Sequence, residues 1–305
     1  MKKAFILILL ASLLTITINA QELTKSNTTY NLKQTKTGHY TLPIHINNSV
    51  EAQALLESGI HAMLIDSAFA FKNQYFLTTP FTRVNEKKIN LGGKVYKISH
   101  QAKVNFSLND ELTYSGEVFL IPHFYENRYE IALPIQNIHH ANGRRCIKLN
   151  FKDNKLQVLS QCDTTDKWYK FPMNTDTYMG MPAIKANLYF INKEFNTAFS
   201  GNFNIDLGNA SLLFLFKQSL AVQSFMKNNP SLKIQKGFDK QGNFIAEVFE
   251  LNSMLIGNIK FTNPTIAITH LLPKFTTDGC IGLKFFKQSE IIFDFDNNMF
   301  YISRN

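Results

Sequence analysis

Beyond residue 30, most of the chain reads as short stretches in which apolar side chains recur at every second position or run together over four to six residues. "YTLPIHI" (40–46), "KVNFSL" (103–108), "EVFLIP" (117–122), "IKLNF" (147–151), "LQVLS" (156–160), "NLYFI" (187–191), "IAEVFEL" (245–251), "IIFDF" (291–295) and "MFYIS" (299–303) are rich in β-branched and aromatic residues. Asn, Gly and Lys turns separate them, so each predicts a strand. Helical spacing is confined to two short segments, "DSAFAFKNQ" (66–74) and "FKQSLAVQSFMKN" (216–228). Asp66 or Ser67 stands where the first of these needs an N-cap. The pattern predicts a mostly-β protein.

The strand pattern occurs twice. "IKLNFKDNKLQVLS" (147–160) lies over "IIFDFDNNMFYIS" (291–303) at an offset of 144, apolar positions and turn asparagines included. Upstream, "ALLESGIHAMLIDSAFA" (from Ala54) lies over "FNIDLGNASLLFLFKQSLA" (from Phe203). Each copy has an apolar run, an acidic residue, one residue and a glycine, then a second apolar run and a short helix. Glu57 falls over Asp206 at an offset of 149. Two matches in the same order at nearly the same spacing argue for a duplicated unit. The resulting division is 1–20 as a leader, 21–160 as a first lobe, 161–182 as a polar, turn-rich linker and 183–305 as a second lobe.

A carboxylate at the end of an apolar strand is costly to bury. A single such Asp would be read as a turn cap. Two of them, related by an internal two-fold, would meet. Two carboxyls sharing one proton divide their roles, one as a base on a bridging water and the other as an acid on a substrate carbonyl. Asp66 also follows an apolar run, but no glycine comes after it, which keeps it as the helix cap. Ser58-Gly59 lacks the G-x-S-x-G turn and the βα alternation of a serine hydrolase.

With "LLESGIHAMLIDSAFA", "NIDLGNASLLFL" and "DGCIGLKFFKQSEIIFDFDNNMFYI" in view, the chain resembles the retropepsin-like and pepsin-like aspartyl proteases, in a two-lobe, single-chain, exported bacterial form. The resemblance implies a bilobal aspartic-protease (acid protease) fold, with two pseudo-two-fold-related, β-barrel-like lobes. It implies Asp206 and Glu57 as the catalytic pair, with Ser58, Gly59, Leu207 and Gly208 completing the active-site loops. Gly279 and Gly282 match the family's closing Gly-x-x-Gly. Three departures stand out. Glu57 replaces the family's Asp, and Leu207 replaces a Thr or Ser whose hydroxyl braces the loop. The first lobe carries "YEIALPIQNIHH" where the second has "DGCIGLKFF". "KKINLGGKVYKI", with Gly92 and Gly93, is either the hairpin that folds over the cleft as a flap or a plain Gly-Gly turn.

Charge and cysteine content change the picture in detail. Lys2 and Lys3 precede "AFILILLASLLTITI", and "NAQ" follows with Ala20 as the last signal residue, the pattern of a cleaved secretory signal. The expectation is an exported protein, periplasmic or extracellular, with no membrane span once the signal is removed. Without Lys2 and Lys3 the formal charge falls from +9 to +7, 30 basic against 23 acidic residues. The basic residues read as spread over a solvated surface, with no nucleic-acid pattern. Cys146 and Cys162 bracket a hairpin turning at Asp153-Asn154 and can form a cross-hairpin disulfide after export. Cys280 is left as a buried small residue. His100, His123, His139 and His140 fit no metal-ligand spacing, the last two reading as a surface loop, and no metal or cofactor is expected.

These readings lead to a monomer that takes a peptide or protein in the inter-lobe cleft and hydrolyses peptide bonds. A non-catalytic pseudo-protease that binds a peptide or partner remains the alternative. A third reading is an unrelated β-sandwich or barrel that holds a small apolar ligand among the 27 phenylalanines.

Overall fold

The structure is a computed structural model. It describes residues 28–73, 80–91, 94–124, 129–162, 167–175, 177, 180–238, 244–257, 259–269, 276–287 and 289–303. Residues 1–20, read from the sequence as a leader, and Gly92 and Gly93 lie outside the described residues.

The two halves are built on one strand plan. In the first, Val50–Glu57 runs parallel to Ile131–Pro134, pairing Glu57 with Pro134. Ile131–Pro134 is sandwiched between that strand and Met63–Asp66, to which it is antiparallel. Leu112–Ile121 then runs parallel to Met63–Asp66. In the second half, Asn196–Asp206 runs parallel to Gly279–Gly282, pairing Asp206 with Gly282. Gly279–Gly282 lies antiparallel to Leu213–Phe216, and Thr265–Thr269 runs parallel to the latter. A helix follows the equivalent strand in each half, Ser67–Lys72 and Leu220–Asn228. Asp66 caps the first, accepting from the Ala68 and Phe69 N–H groups at 2.9 and 3.1 Å.

A shared sheet joins the halves. Its strand order is Thr29–Asn31, Lys155–Leu159, Cys146–Asn150, Glu290–Asp294, Met299–Ser303 and Trp168–Asn174. At its centre the two repeated hairpins meet antiparallel, Ile147 opposite Phe293 and Leu149 opposite Ile291. The stretch read from sequence as a linker therefore contributes a strand, Trp168–Asn174, paired with Met299–Ser303. Its alternation of exposed and buried positions, with polar and Pro residues outward, hides that strand in a hydropathy reading. The surface-loop reading of His139-His140 is also corrected. Ile138–His140 is a strand paired with Leu112–Tyr114, and His140 is buried.

The phenylalanines pack on one another. In the second lobe Phe190, Phe199, Phe225 and Phe249 form a ring cluster, with centroids 5.2 Å apart for Phe190–Phe225 and 5.6 Å for Phe199–Phe225. Tilted and edge-on ring pairs add to the burial of each side chain, and this core holds the strand that delivers Asp206.

Candidate active site

Glu57 and Asp206 each terminate the strand that their lobe's closing strand pairs with in parallel. Along Val50–Glu57 the alternation of buried and exposed positions stops at Ala54, and the last four residues are all buried. That strand end lies under the second half of the chain, which is why an acid there is 5 % exposed and Ser58 has no exposure.

Ser58 ties the loops together. Its hydroxyl donates to the Ile205 carbonyl at 2.7 Å and accepts from the Leu207 N–H at 2.9 Å, bridging backbone on both sides of Asp206. Leu207 cannot return the bond. Its side chain is buried in the apolar core instead, so the brace runs in one direction only.

The carboxylates cross over. A Cβ placed on Gly59 would lie 3.0 Å from the Asp206 Oδ1. A Cβ placed on Gly208 would lie 2.1 and 2.2 Å from the two Glu57 carboxylate oxygens. Each acid is therefore seated on the glycine of the opposite loop. Glu57, one methylene longer, presses closer to its glycine than Asp206 does. Only the absence of a side chain at residue 208 permits that approach.

Asp206 is held by several groups. Its Oδ1 accepts from the Gly208 N–H at 2.9 Å. Burial pushes its carboxyl up to about 6, against the Gly208 N–H and the Cys280 thiol, which both favour the charged form. Cys280 is buried, and burial and the neighbouring Asp206 charge push its thiol well above the usual range. The Asn209 amide donates to its sulfur at 3.8 Å. Asn204 pairs with Cys280 and Asp206 with Gly282, so the two-residue period of the strand brings the thiol to the Asp206 side.

His39 reaches the same loop from the first half of the chain. Its Nε2 lies 2.9 Å from the Gly208 carbonyl, which can only accept, so Nε2 carries the proton. Its Nδ1 lies 2.9 Å from the Thr37 hydroxyl. The first-lobe loop is fastened as well. The Gln136 amide donates to the Ile60 carbonyl at 2.5 Å, and the Asn137 amide to the His61 carbonyl at 3.0 Å. The buried Tyr114 hydroxyl, its pKa pushed up to about 12 by burial, accepts from the Met63 N–H at 2.9 Å.

Gly279 and Gly282 pack where a Cβ would meet the Phe214 and Ser211 carbonyl oxygens at 2.4 Å. In the first lobe Pro134 takes the place of Gly282. Cys146 and Cys162 are joined in a disulfide at the end of the central hairpin. Among the described residues the one close group of metal-type ligands is Cys146, Cys162 and Asp294, and both sulfurs are spent in that bond. No described helix is long and apolar enough to cross a membrane.

Sequence reasoning brought Glu57, Ser58, Gly59, Asp206, Leu207 and Gly208 forward, and the structure gathers all six. It did not find Cys280 or His39 as neighbours of the site. The strand period in "DGCIG" held a signal for Cys280, whereas His39 reaches Gly208 through tertiary docking alone.

Chemically, the arrangement sets one carboxyl whose pKa burial raises beside a loop that receives a second carboxylate. No family model and no curated protein matches the sequence. Solved structures do match the fold. An aspartic proteinase from Irpex lacteus superposes with a TM-score of 0.56 at 10% identity, over 92% of this chain and 98% of that one. Basic 7S globulin from soybean superposes with a TM-score of 0.53 at 10% identity, over 92% and 95%. The chain has the bilobal, pepsin-like fold of the aspartic proteinases.

Proposed function

We propose that the protein is an exported aspartic-type peptidase in which Glu57 and Asp206 act as one proton-sharing pair on a water molecule between them. The observation that carries this reading is the crossed seating of the two carboxylates on Gly208 and Gly59. In the proposed reaction one carboxylate takes a proton from the water as its oxygen bonds to the scissile carbonyl carbon. The other, protonated, gives its proton to the carbonyl oxygen. The tetrahedral diol then collapses: the C–N bond breaks, the departing nitrogen takes the proton held by the pair, and one diol hydroxyl gives its proton back to the pair as it becomes the product carboxyl's C=O, so the pair ends with one proton as it began. The substrate is an extended peptide lying between the lobes and pairing by its backbone. The reaction needs no cofactor.

A second reading is favoured by the closer approach of Glu57 and by Leu207 at the brace position. A displacement of about 1 Å costs on the order of 100-fold in rate, and a protein that has lost the reaction keeps the cleft as a peptide-binding surface. Digestion of an unbiased peptide library by residues 21–305 across acidic to neutral pH, beside Asp206→Asn, separates the two. Cleavage that disappears in the variant is expected. Absence of cleavage at every pH by a folded protein overturns the peptidase reading. Accumulation of the intact leader-bearing chain in the cytoplasm of cells expressing it would overturn export.

A further inference from the structure

The charge of the protein is not spread evenly. Between residues 83 and 97 lie Arg83, Lys87, Lys88, Lys94 and Lys97, against the single acid Glu86. These residues flank or form the two-stranded hairpin of Lys88–Leu91 and Lys94–Lys97, which pairs with no other strand among the described residues.

One face of the hairpin is anchored beside the candidate active site. Ile89, Leu91, Tyr96 and Ile98 belong to an apolar cluster with Leu55, Ile60, Ala62 and Leu64, the residues that bracket Ser58-Gly59. Lys87 is fixed over the Phe119 ring, 3.9 Å from its centroid, and donates to the Gln101 amide oxygen at 2.9 Å. The His61 ring, two residues past Gly59, packs edge-on against the same Phe119 at 5.6 Å. The base of the hairpin and the active-site loop thus share one set of contacts.

The other face is cationic. Lys88 and Lys97 are directly opposite each other across the strands, and Asn90 is opposite Val95. All four are exposed, Val95 at 60 %. Among the described residues no carboxylate pairs with Arg83, Lys88 or Lys97. Like charges facing each other across a strand pair destabilise it. Packing alone would favour an acid opposite Lys88, and a ligand that brings negative charge would relieve the repulsion.

The geometry points to the hairpin face of Lys88, Lys97 and Val95, with Arg83 and Lys94 at its margins, as a recognition surface for acidic peptide. This rests on the reading that a peptide occupies the cleft, and it names the class, segments rich in Asp and Glu. Anchoring beside Ile60 is what favours a peptide over a lipid surface or a nucleic acid. A chain running through the cleft would pass the hairpin, whereas those ligands have no reason to meet it at the active-site loop.

The test is binding, measured by fluorescence anisotropy to the full-length mature Asp206→Asn protein, so that no turnover is required. The probes are a labelled extended peptide rich in Asp and Glu and its Asn/Gln twin. The acidic peptide is expected to bind about tenfold or more tightly than its twin, with a preference that shrinks as salt shortens the reach of charge. K88Q/K97Q should abolish that preference. The variant removes like-charge repulsion and should unfold no earlier than its parent, which thermal melting checks. Equal binding of the two peptides, binding of neither, a preference that survives K88Q/K97Q, or tighter binding of anionic vesicles or a single-stranded oligonucleotide would each overturn the inference. Cleavage of neutral peptides without acidic preference would sink this inference alone. Acid-selective binding without cleavage by the wild type would sink the peptidase reading alone.

Discussion

The carboxylate of Glu57 is seated on Gly208, a residue from the opposite lobe, so closely that a Cβ there would fall 2.1 Å from Oε2. Asp206 is seated on Gly59 in the same way but with a 3.0 Å approach. The pair is therefore crossed and unequal.

The inequality makes Gly208→Ala and Gly59→Ala diverge. Neither glycine has a left-handed backbone, so an alanine suits the main chain at both positions and the effect is steric. At residue 208 the methyl must drive the Glu57 carboxylate aside, a movement of about 1 Å or more that costs on the order of 100-fold in turnover. At residue 59 the approach needs a few tenths of an ångström, and activity should fall far less. Peptide turnover by the two variants, with denaturant midpoints as a folding control, checks this. Equal losses would mean that Glu57 does not take part.

The raised pKa of Asp206 predicts how stability varies with pH. Its carboxyl titrates near 6 in the fold against an ordinary value of 3.8, so the folded state holds the proton more tightly than the unfolded chain. The stabilising contribution is fully present below about 3.8 and is lost as pH rises through about 6. Unfolding free energies of the wild type and Asp206→Asn should diverge across that window, the wild type losing stability relative to the variant as pH rises. The Cys280 thiol favours the charged form of Asp206, so Cys280→Ala should raise the Asp206 midpoint further, which a carboxyl-carbon NMR titration reads directly.

Much of the plan was legible because a duplicated unit writes its pattern twice. The offset of Glu57 against Asp206 predicted the equivalence that the parallel pairings Glu57–Pro134 and Asp206–Gly282 display. The hairpins overlaid by their turn asparagines meet at the centre of the joining sheet. What stayed hidden depends on tertiary contact. Trp168–Asn174 carries polar and Pro residues outward and reads as linker until Met299–Ser303 pairs with it. His39 touches Gly208 across 169 residues of chain. The lysines looked dispersed because a charge tally along the sequence does not register that Lys88 and Lys97 face each other.

Ser58 is the one hydroxyl of the brace, and its loss should be felt in stability before anything else. Ser58→Ala leaves the Ile205 carbonyl and the Leu207 N–H without the side chain that now satisfies both at 2.7 and 2.9 Å. A buried polar group left unpaired costs about 1 to 3 kcal/mol, so the expected loss is on the order of 2 to 4 kcal/mol by urea denaturation. Because the bonds span the two halves, the variant should also lose cooperativity between lobes. A loss below about 0.5 kcal/mol would mean that water replaces the hydroxyl and that the loops are held elsewhere.

The disulfide should stabilise the protein through the unfolded chain more than through native contacts. Cys146 and Cys162, 16 positions apart, close a loop at the edge of the central hairpin, where Cys146 packs with Leu159, Trp168, Ile292 and Tyr301. Cross-linking a loop of that length restricts the unfolded ensemble by about 3 kcal/mol. The hairpin itself keeps five paired positions from Cys146–Leu159 to Asn150–Lys155, enough to hold its register without the bond. Reduction under native conditions should therefore leave the far-ultraviolet circular dichroism unchanged while lowering the urea midpoint by the equivalent of about 3 kcal/mol. Cys146→Ala/Cys162→Ala should behave as the reduced protein does. If the double variant loses its β signature at neutral pH, the bond is needed to assemble the joining sheet, and the two lobes depend on oxidation to come together at all.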